Sequence, residues 1–276
     1  MAYLKIYSRS NCGGIVWQTL GSSHINRNKE CQDRSRFFAG RKANVVIVCD
    51  GHGGEKHFRS SRGADFAVET IISVADIFAN TVTKKITESF RLKKLKDLEK
   101  NIIFEWRNKV AADIARDPFH EDEILKLSLS DQKAISENCC LAYGTTMLCV
   151  LQIQDYNYII QLGDGNIVEI SNGQIILPLE NDPRIHFNYT TSLCAEDAFG
   201  SMRDAIVHRQ EQQAFFLSSD GVFNSFTDET AFYDFVNKIY ENRNCPEIES
   251  EIKEFLPQLT KEGSGDDVSI GLLLNE

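Results

Sequence analysis

The stretch Val45-Val46-Ile47-Val48-Cys49-Asp50-Gly51-His52-Gly53-Gly54 joins an apolar, β-branched run to an abrupt turn into glycines. A run of that kind fits a strand buried on both faces. Asp-Gly ordinarily marks a two-residue hairpin turn, which needs a strand on each side. None follows here: after the glycines, Phe58, Ala67, Val68, Ile71, Ile72 and Ala75 recur near the 3.6-residue helical period. Asp50 therefore stands at the rigid end of a strand, a platform that can hold a carboxylate in place for chemistry.

Three further blocks set aspartate beside an apolar run. Residues 214–219 end at Asp220-Gly221, and Val222-Phe223-Asn224-Ser225-Phe226 follow without a second strand. Asp266-Asp267 precedes the run 268–274. Gly163-Asp164-Gly165 differs, because a strand (156–162) precedes it and Asn166-Ile167-Val168-Glu169-Ile170 follows; on local grounds it reads as a hairpin turn. Other strands are expected over 15–20, 145–153, 167–170 and 174–177, with turns at Asp155 and Asn172-Gly173. Helices are expected after the glycines, over 84–115, after an N-cap at Thr227, and over 246–261 behind Pro246. Strands in hairpin-like succession favour an α+β fold with antiparallel sheets over a doubly wound parallel one. With no repeat, low-complexity tract or linker, 1–276 reads as a single domain.

Composition narrows the function classes. The 276 residues carry 30 Lys+Arg against 40 Asp+Glu, for a net charge of −10. That sign opposes nucleic-acid or anionic-membrane partners, which are bound through excess positive charge, and suits a chain that collects divalent cations. No apolar run reaches the roughly 18–20 residues that span a bilayer, and Met1–Tyr7 lacks the pattern of a secretory signal. The eight cysteines form no C-x-x-C pair and have no histidines placed to complete a zinc site. Cys49 and Cys149 lie inside apolar runs, so reduced thiols of a cytoplasmic protein are expected. The lysines between 84 and 100 occupy one face of an amphipathic helix, the pattern of a solvated face.

Carboxylates held close together in a partly dry site repel, and a cation relieves them. All-oxygen ligands select hard ions such as Mg²⁺ or Mn²⁺ over zinc. Two such ions can activate a bridging water and clamp a phosphoryl group, while His52, two residues from Asp50, is placed to protonate a leaving oxygen.

In order and spacing, Cys31-Gln32-Asp33, Asp50-Gly51-His52-Gly53-Gly54, Gly144-Thr145-Thr146, Gly163-Asp164-Gly165, Ser219-Asp220-Gly221 and Asp266-Asp267-Val268-Ser269 resemble the metal-dependent protein serine/threonine phosphatases of type 2C. The resemblance covers most of the chain. It implies an α-β-β-α sandwich of two antiparallel sheets, a binuclear metal cleft at one end, and a variable flap at about 181–210. Asp50 would bridge two Mg²⁺ or Mn²⁺ ions, Gly51 would offer its carbonyl, and Asp220 and Asp266 would complete the first site. Asp33 would act through water, Asp164 would hold a third, weaker ion, and His52 would be the general acid for attack by a metal-bridging hydroxide. Departures are Gln32 for Glu, Asp267 for Asn, Gly165 for a small polar residue, and Asn28 where many members place a phosphate-binding Arg, with Arg27 adjacent. The implied substrate is phosphoserine or phosphothreonine on a protein, with a cognate kinase as a further partner. The alternatives are a phosphatase-like binding module with little turnover, and a phosphatase of small phosphomonoesters.

Overall fold

A computed structural model describes residues 3–9, 12–180, 182 and 190–275. Its strands are β1 (Tyr3–Arg9), β2 (Cys12–Thr19), β3 (Arg34–Ala39), β4 (Asn44–Cys49), β5 (Met147–Ile153), β6 (Tyr156–Leu162), β7 (Asn166–Ser171), β8 (Gln174–Ile176), β9 (Arg203–His208), β10 (Gln213–Ser218) and β11 (Val268–Asn275). The helices are α1 (Ser22–Asn26), α2 (Ser60–Thr81), α3 (Glu88–Arg116), α4 (Glu121–Leu125), α5 (Leu129–Glu137), α6 (Ala198–Ser201), α7 (Asp220–Phe223), α8 (Glu229–Glu241) and α9 (Ile248–Glu262). One sheet runs β1-β2-β11-β10-β7-β8 and the other β3-β4-β5-β6-β9, with antiparallel pairing throughout.

Side-chain alternation along the strands sorts the core into three layers. On β4, Val45, Ile47 and Cys49 face α2 and α3, where they meet Ile71, Phe78, Ile102 and Trp106. Val46 and Val48 face the other way and join Val16, Leu148, Phe215 and Leu273 between the sheets. Beyond the second sheet, Phe216, Val168 and Leu272 pack on Phe232, Val236, Ile252 and Leu256 of α8 and α9. This is the expected α-β-β-α sandwich.

Two local expectations are corrected. Asp164-Gly165 does not close a hairpin: β6 pairs with β5 and β9, whereas β7 pairs with β10 and β8 in the opposite sheet. Gly163, at φ +113°, lets the chain cross between the sheets there. The N-cap of α8 is Asp228, whose carboxylate accepts from Ala231 N at 2.9 Å, rather than Thr227. Strands β1, β3 and β9 were not anticipated. Of the stretch expected as a flap, Thr191–Cys194 is buried, residues 203–208 form β9, and residues 181 and 183–189 lie outside the described residues.

Among the described residues no helix is long and apolar enough to cross a membrane. Cys31, Cys49, Cys139, Cys140, Cys149, Cys194 and Cys245 are free thiols. On the lysine face of α3, Lys96 bonds Glu99 and Asp204 and Lys94 pairs with Asp97, while Lys84 lies 2.8 Å from Asp155 just before the helix.

Glu99 is wholly buried beside Asp204 and Lys96. Burial first, then the Asp204 charge, raises its pKa from an ordinary 4.5 to about 7 despite Lys96. The folded chain thus holds this proton more tightly than the unfolded chain, so the contribution to stability is complete at low pH and is lost as pH climbs toward 7. Glu99→Gln should flatten that slope and stabilise the protein at pH 8 by about 1–3 kcal/mol, with little effect at pH 4.5. Urea unfolding at the two pH values measures the difference.

Candidate functional site

The aspartates singled out by sequence gather at one end of the sandwich because each adjoins a strand that ends or begins there. Asp50 continues the Val46–Val48 face of β4 toward the space between the sheets. Its backbone is tied down by the Thr pair: Asp50 N donates to Thr146 Oγ1 at 3.0 Å, and its carbonyl accepts from Thr146 N at 2.8 Å and Thr145 Oγ1 at 2.9 Å. Asp220 opens α7 directly after β10, and Asn224 Nδ2 donates to its Oδ2 at 3.0 Å. Asp33 precedes β3 and is 1% exposed; Ser269 Oγ donates to its Oδ2 at 2.8 Å. Asp266 precedes β11, and its side chain is 55% exposed. Asp164, on the crossover after β6, shares with Asp220, Asp182, Arg203 and Asn224 a cleft of about 500 Å³.

Like charge dominates this end of the molecule. The Asp50 and Asp220 carboxyls lie within hydrogen-bonding reach of each other. Burial, followed by the charges of Asp33, Asp220 and Asp266, pushes Asp50 well above the usual carboxylate range. Burial and Asp164 raise Asp220, burial alone raises Asp164, and burial with Asp267 lifts Asp33 to about 8. Among the described residues no Lys or Arg forms an ion pair with Asp33, Asp50, Asp164 or Asp220. Two buried acceptors, Asp33 Oδ1 and Gln32 Oε1, have no hydrogen-bond partner.

Those orphaned oxygens and unrelieved carboxylates are of the type that could hold a hard divalent cation. Among the described residues no three acidic, His or Cys side chains already close on one point as a metal cage. An ion held there would take part of its shell from water, as Mg²⁺ commonly does.

Asp267 stands beside the cluster as expected, close enough to raise Asp33, but its oxygens are also taken by local partners. Its Oδ1 accepts from Gly21 N at 2.7 Å, its Oδ2 accepts from Gln32 N at 2.6 Å, and His24 Nδ1 sits 3.0 Å from Oδ1. These partners, His24 foremost, hold its pKa below the usual range against the cost of burial. Gln32 likewise turns to the glycine loop: Nε2 donates to Ser60 Oγ at 2.6 Å and to His52 O at 3.3 Å. Gly165 has a steric reason, since a Cβ there would lie 2.5 Å from Ser218 O. Gly51 is equally confined, 2.8 Å from Gln32 O.

His52 follows the cluster, with its backbone N donating to Gly144 O at 3.0 Å. Burial, then the neighbouring His57 and Lys56, pushes its pKa down to about 3 in the metal-free chain. Arg27 and Asn28 are exposed at the end of α1. The cation that touches the glycine loop is Lys29, which sequence reasoning passed over; its Nζ donates to Gly53 O at 3.3 Å. Asn28 has φ +53°, which turns the chain back so that Lys29 faces the loop. Asn is among the few side chains that tolerate that backbone, and this was the signal available in the sequence.

Removing one charge from the crowd should help the metal-free protein and cost it its metal. Asp50→Asn is expected to stabilise the chain without metal by about 1–2 kcal/mol at pH 7. It should also abolish the stabilisation by Mn²⁺, which for a single site reaches about 2.7 kcal/mol at a hundredfold excess over Kd. Asp267→Ala should instead destabilise both forms by about 3 kcal/mol, because it strips buried donors of their acceptor. Thermal unfolding with and without Mn²⁺ separates the two behaviours.

Known structures share this fold. The chain is similar in structure to a serine/threonine phosphatase of S. agalactiae (TM-score 0.60, 16% identity, 100% of each chain covered). It is also similar to the catalytic domain of the phosphatase PstP in complex with two manganese ions (TM-score 0.56, 15% identity, 99% of this chain and 98% of that one). A third likeness is to PppA, a regulatory component of the type VI secretion system in Pseudomonas aeruginosa (TM-score 0.57, 13% identity, 96% and 97%). No curated protein sequence matches significantly. At such identities the structures speak for the fold, but the family model for protein phosphatase 2C matches residues 20–257. The chain belongs to the protein phosphatase 2C family.

Proposed function

We propose that this protein is a Mg²⁺- or Mn²⁺-dependent phosphatase acting on phosphoserine or phosphothreonine in proteins. The observation that carries the reading is the unrelieved carboxylate crowd of Asp50, Asp220 and Asp33, with Asp50 two residues from His52 and its glycines. Asp50 and Asp220, with Asp266, would hold one ion, Asp50 and the Gly51 carbonyl a second, Asp33 would support through water, and Asp164 would serve a third. Such ions, when bound, lower the pKa of water and stabilise charge on a phosphoryl group.

The chain's own residues do the rest. Thr145 and Thr146 fix the Asp50 backbone, so its carboxylate meets a ligand without reorganising. Lys29 offers a point charge to the phosphate beside Gly53, where its three donors can leave the carbonyl for an anion. The His52 ring is neutral in the free chain; a phosphate dianion placed against it favours the protonated form. His52 then gives that proton to the departing serine or threonine oxygen, a strongly basic alkoxide that leaves poorly without it. The substrate is a phosphorylated protein, and the kinase that installs the phosphate would be the second partner. The type 2C family match and the fold support this reading.

The test is hydrolysis of a phosphothreonine peptide by the purified chain in Mn²⁺ and then in excess chelator. Activity should appear with metal and vanish with chelator; turnover that survives the chelator, or none despite measured metal binding, would sink the proposal. In the same assay Lys29→Ala should raise KM about tenfold with kcat nearly unchanged, whereas Arg27→Ala and Asn28→Ala should shift KM by no more than about twofold.

A further inference from the structure

We infer that His57 is a positioning residue for the reaction: its ring sets the orientation of the His52 imidazole. This rests on the general-acid role proposed for His52. Among the described residues neither ring nitrogen of His52 makes a hydrogen bond to another protein group, so the protein orients the ring by packing. That packing comes from two sides. The His57 ring meets the His52 ring edge-to-face, with centroids 4.8 Å apart and planes at 66°. Gly144 forms the other wall, since a Cβ there would lie 2.6 Å from His52 Cδ2 and 2.5 Å from His57 Nδ1.

His57 is itself anchored. It ends the short 3-10 turn Glu55–His57, and its backbone N donates to Gly54 O at 2.9 Å. Its Nδ1 lies 2.5 Å from Leu141 O. A carbonyl oxygen only accepts, so the proton is on Nδ1 and the ring is pinned to the segment that leads into Gly144. On its far side His57 lines a cleft of about 400 Å³ with Lys29, Gln32 and Gly54. Loss of the His57 ring opens that space to the His52 ring. A general acid displaced by an ångström loses much of its effect, even with every reacting group still present.

The experiment uses two substrates whose leaving groups differ in their need for a proton. The alkoxide of a phosphothreonine peptide requires protonation; the aryloxide of p-nitrophenyl phosphate leaves without it. His57→Ala, assayed with Mn²⁺, should lower kcat on the peptide by about 10–100-fold while kcat on the aryl phosphate stays within about twofold. His57→Phe, which keeps a flat ring but no anchor to Leu141, should recover part of the loss. In metal-free protein, the rate of diethylpyrocarbonate modification at His52, followed by mass spectrometry, should rise in His57→Ala. Equal losses on both substrates, or an unchanged modification rate at His52, would overturn the inference. His52→Ala is the control. If it shows the same leaving-group selectivity and His57→Ala does not, only the positioning role fails. If His52→Ala shows none, the general-acid reading fails first.

Discussion

Carboxylates that share a dry cleft cannot all be ionised, and this molecule is built to put them there. The sheets deliver Asp33, Asp50, Asp164, Asp220 and Asp266 to one end, and among the described residues no lysine or arginine forms an ion pair with Asp33, Asp50, Asp164 or Asp220. Desolvation and mutual repulsion make the metal-free cluster unfavourable, which a folding unit with no other purpose would avoid. The hydrophobic layers bear that strain. With Val46, Val48, Phe215 and Leu273 interdigitated between the sheets, strand ends cannot splay to separate the charges. Rigidity that is merely structural elsewhere becomes, at this end, stored affinity for a cation.

The same constraint explains why the neighbouring polar groups are so completely committed. Thr145 and Thr146 exhaust the Asp50 backbone, Ser269 takes one Asp33 oxygen, and Gly21 N and Gln32 N take both oxygens of Asp267. Among the buried atoms left without a partner are the acceptor oxygens Asp33 Oδ1 and Gln32 Oε1. Free acceptors of this kind favour a cation over an anion.

Much of this was legible in the sequence, and the failures have physical causes. Strands β4, β6 and β11 announce themselves because they are buried on both faces and read as unbroken apolar runs. β3 and β9 mix Arg, Ser, Asp and His with apolar residues at the edges of their sheet, so composition hides them. The Asp164 crossover resembled a hairpin because two strands joined by Asp-Gly look alike whether they pair or part; only the pairing of β6 with β9 separates the cases. The aspartates of the cluster could be found because each sits beside a readable strand. His57 and His24 could not, because their roles depend on loops that meet far from home in sequence, and Lys29 left only the indirect signal of Asn28 before it.

Gln32 and Asp267 show how far one-residue comparison can mislead. Taken singly, each changes the charge next to the cluster, one removing a carboxylate and the other adding one. In place, each answers a local partner. The Gln32 amide donates to the His52 carbonyl and to Ser60 Oγ, and a glutamate could not give those bonds and would repel the carbonyl. Asp267 accepts from two backbone N–H groups and lies against His24, whereas an asparagine offers a single acceptor oxygen and an amide that would face a donor. His24 is raised above its ordinary pKa mainly by that same carboxylate, and Asp267 is lowered in turn, so each favours the charged form of the other. The charge added at 267 faces His24, and the charge absent at 32 is exchanged for a hold on the His52 loop. Both departures therefore act on the positions of the loops around the carboxylates, and the cluster's own demand for a cation is left intact.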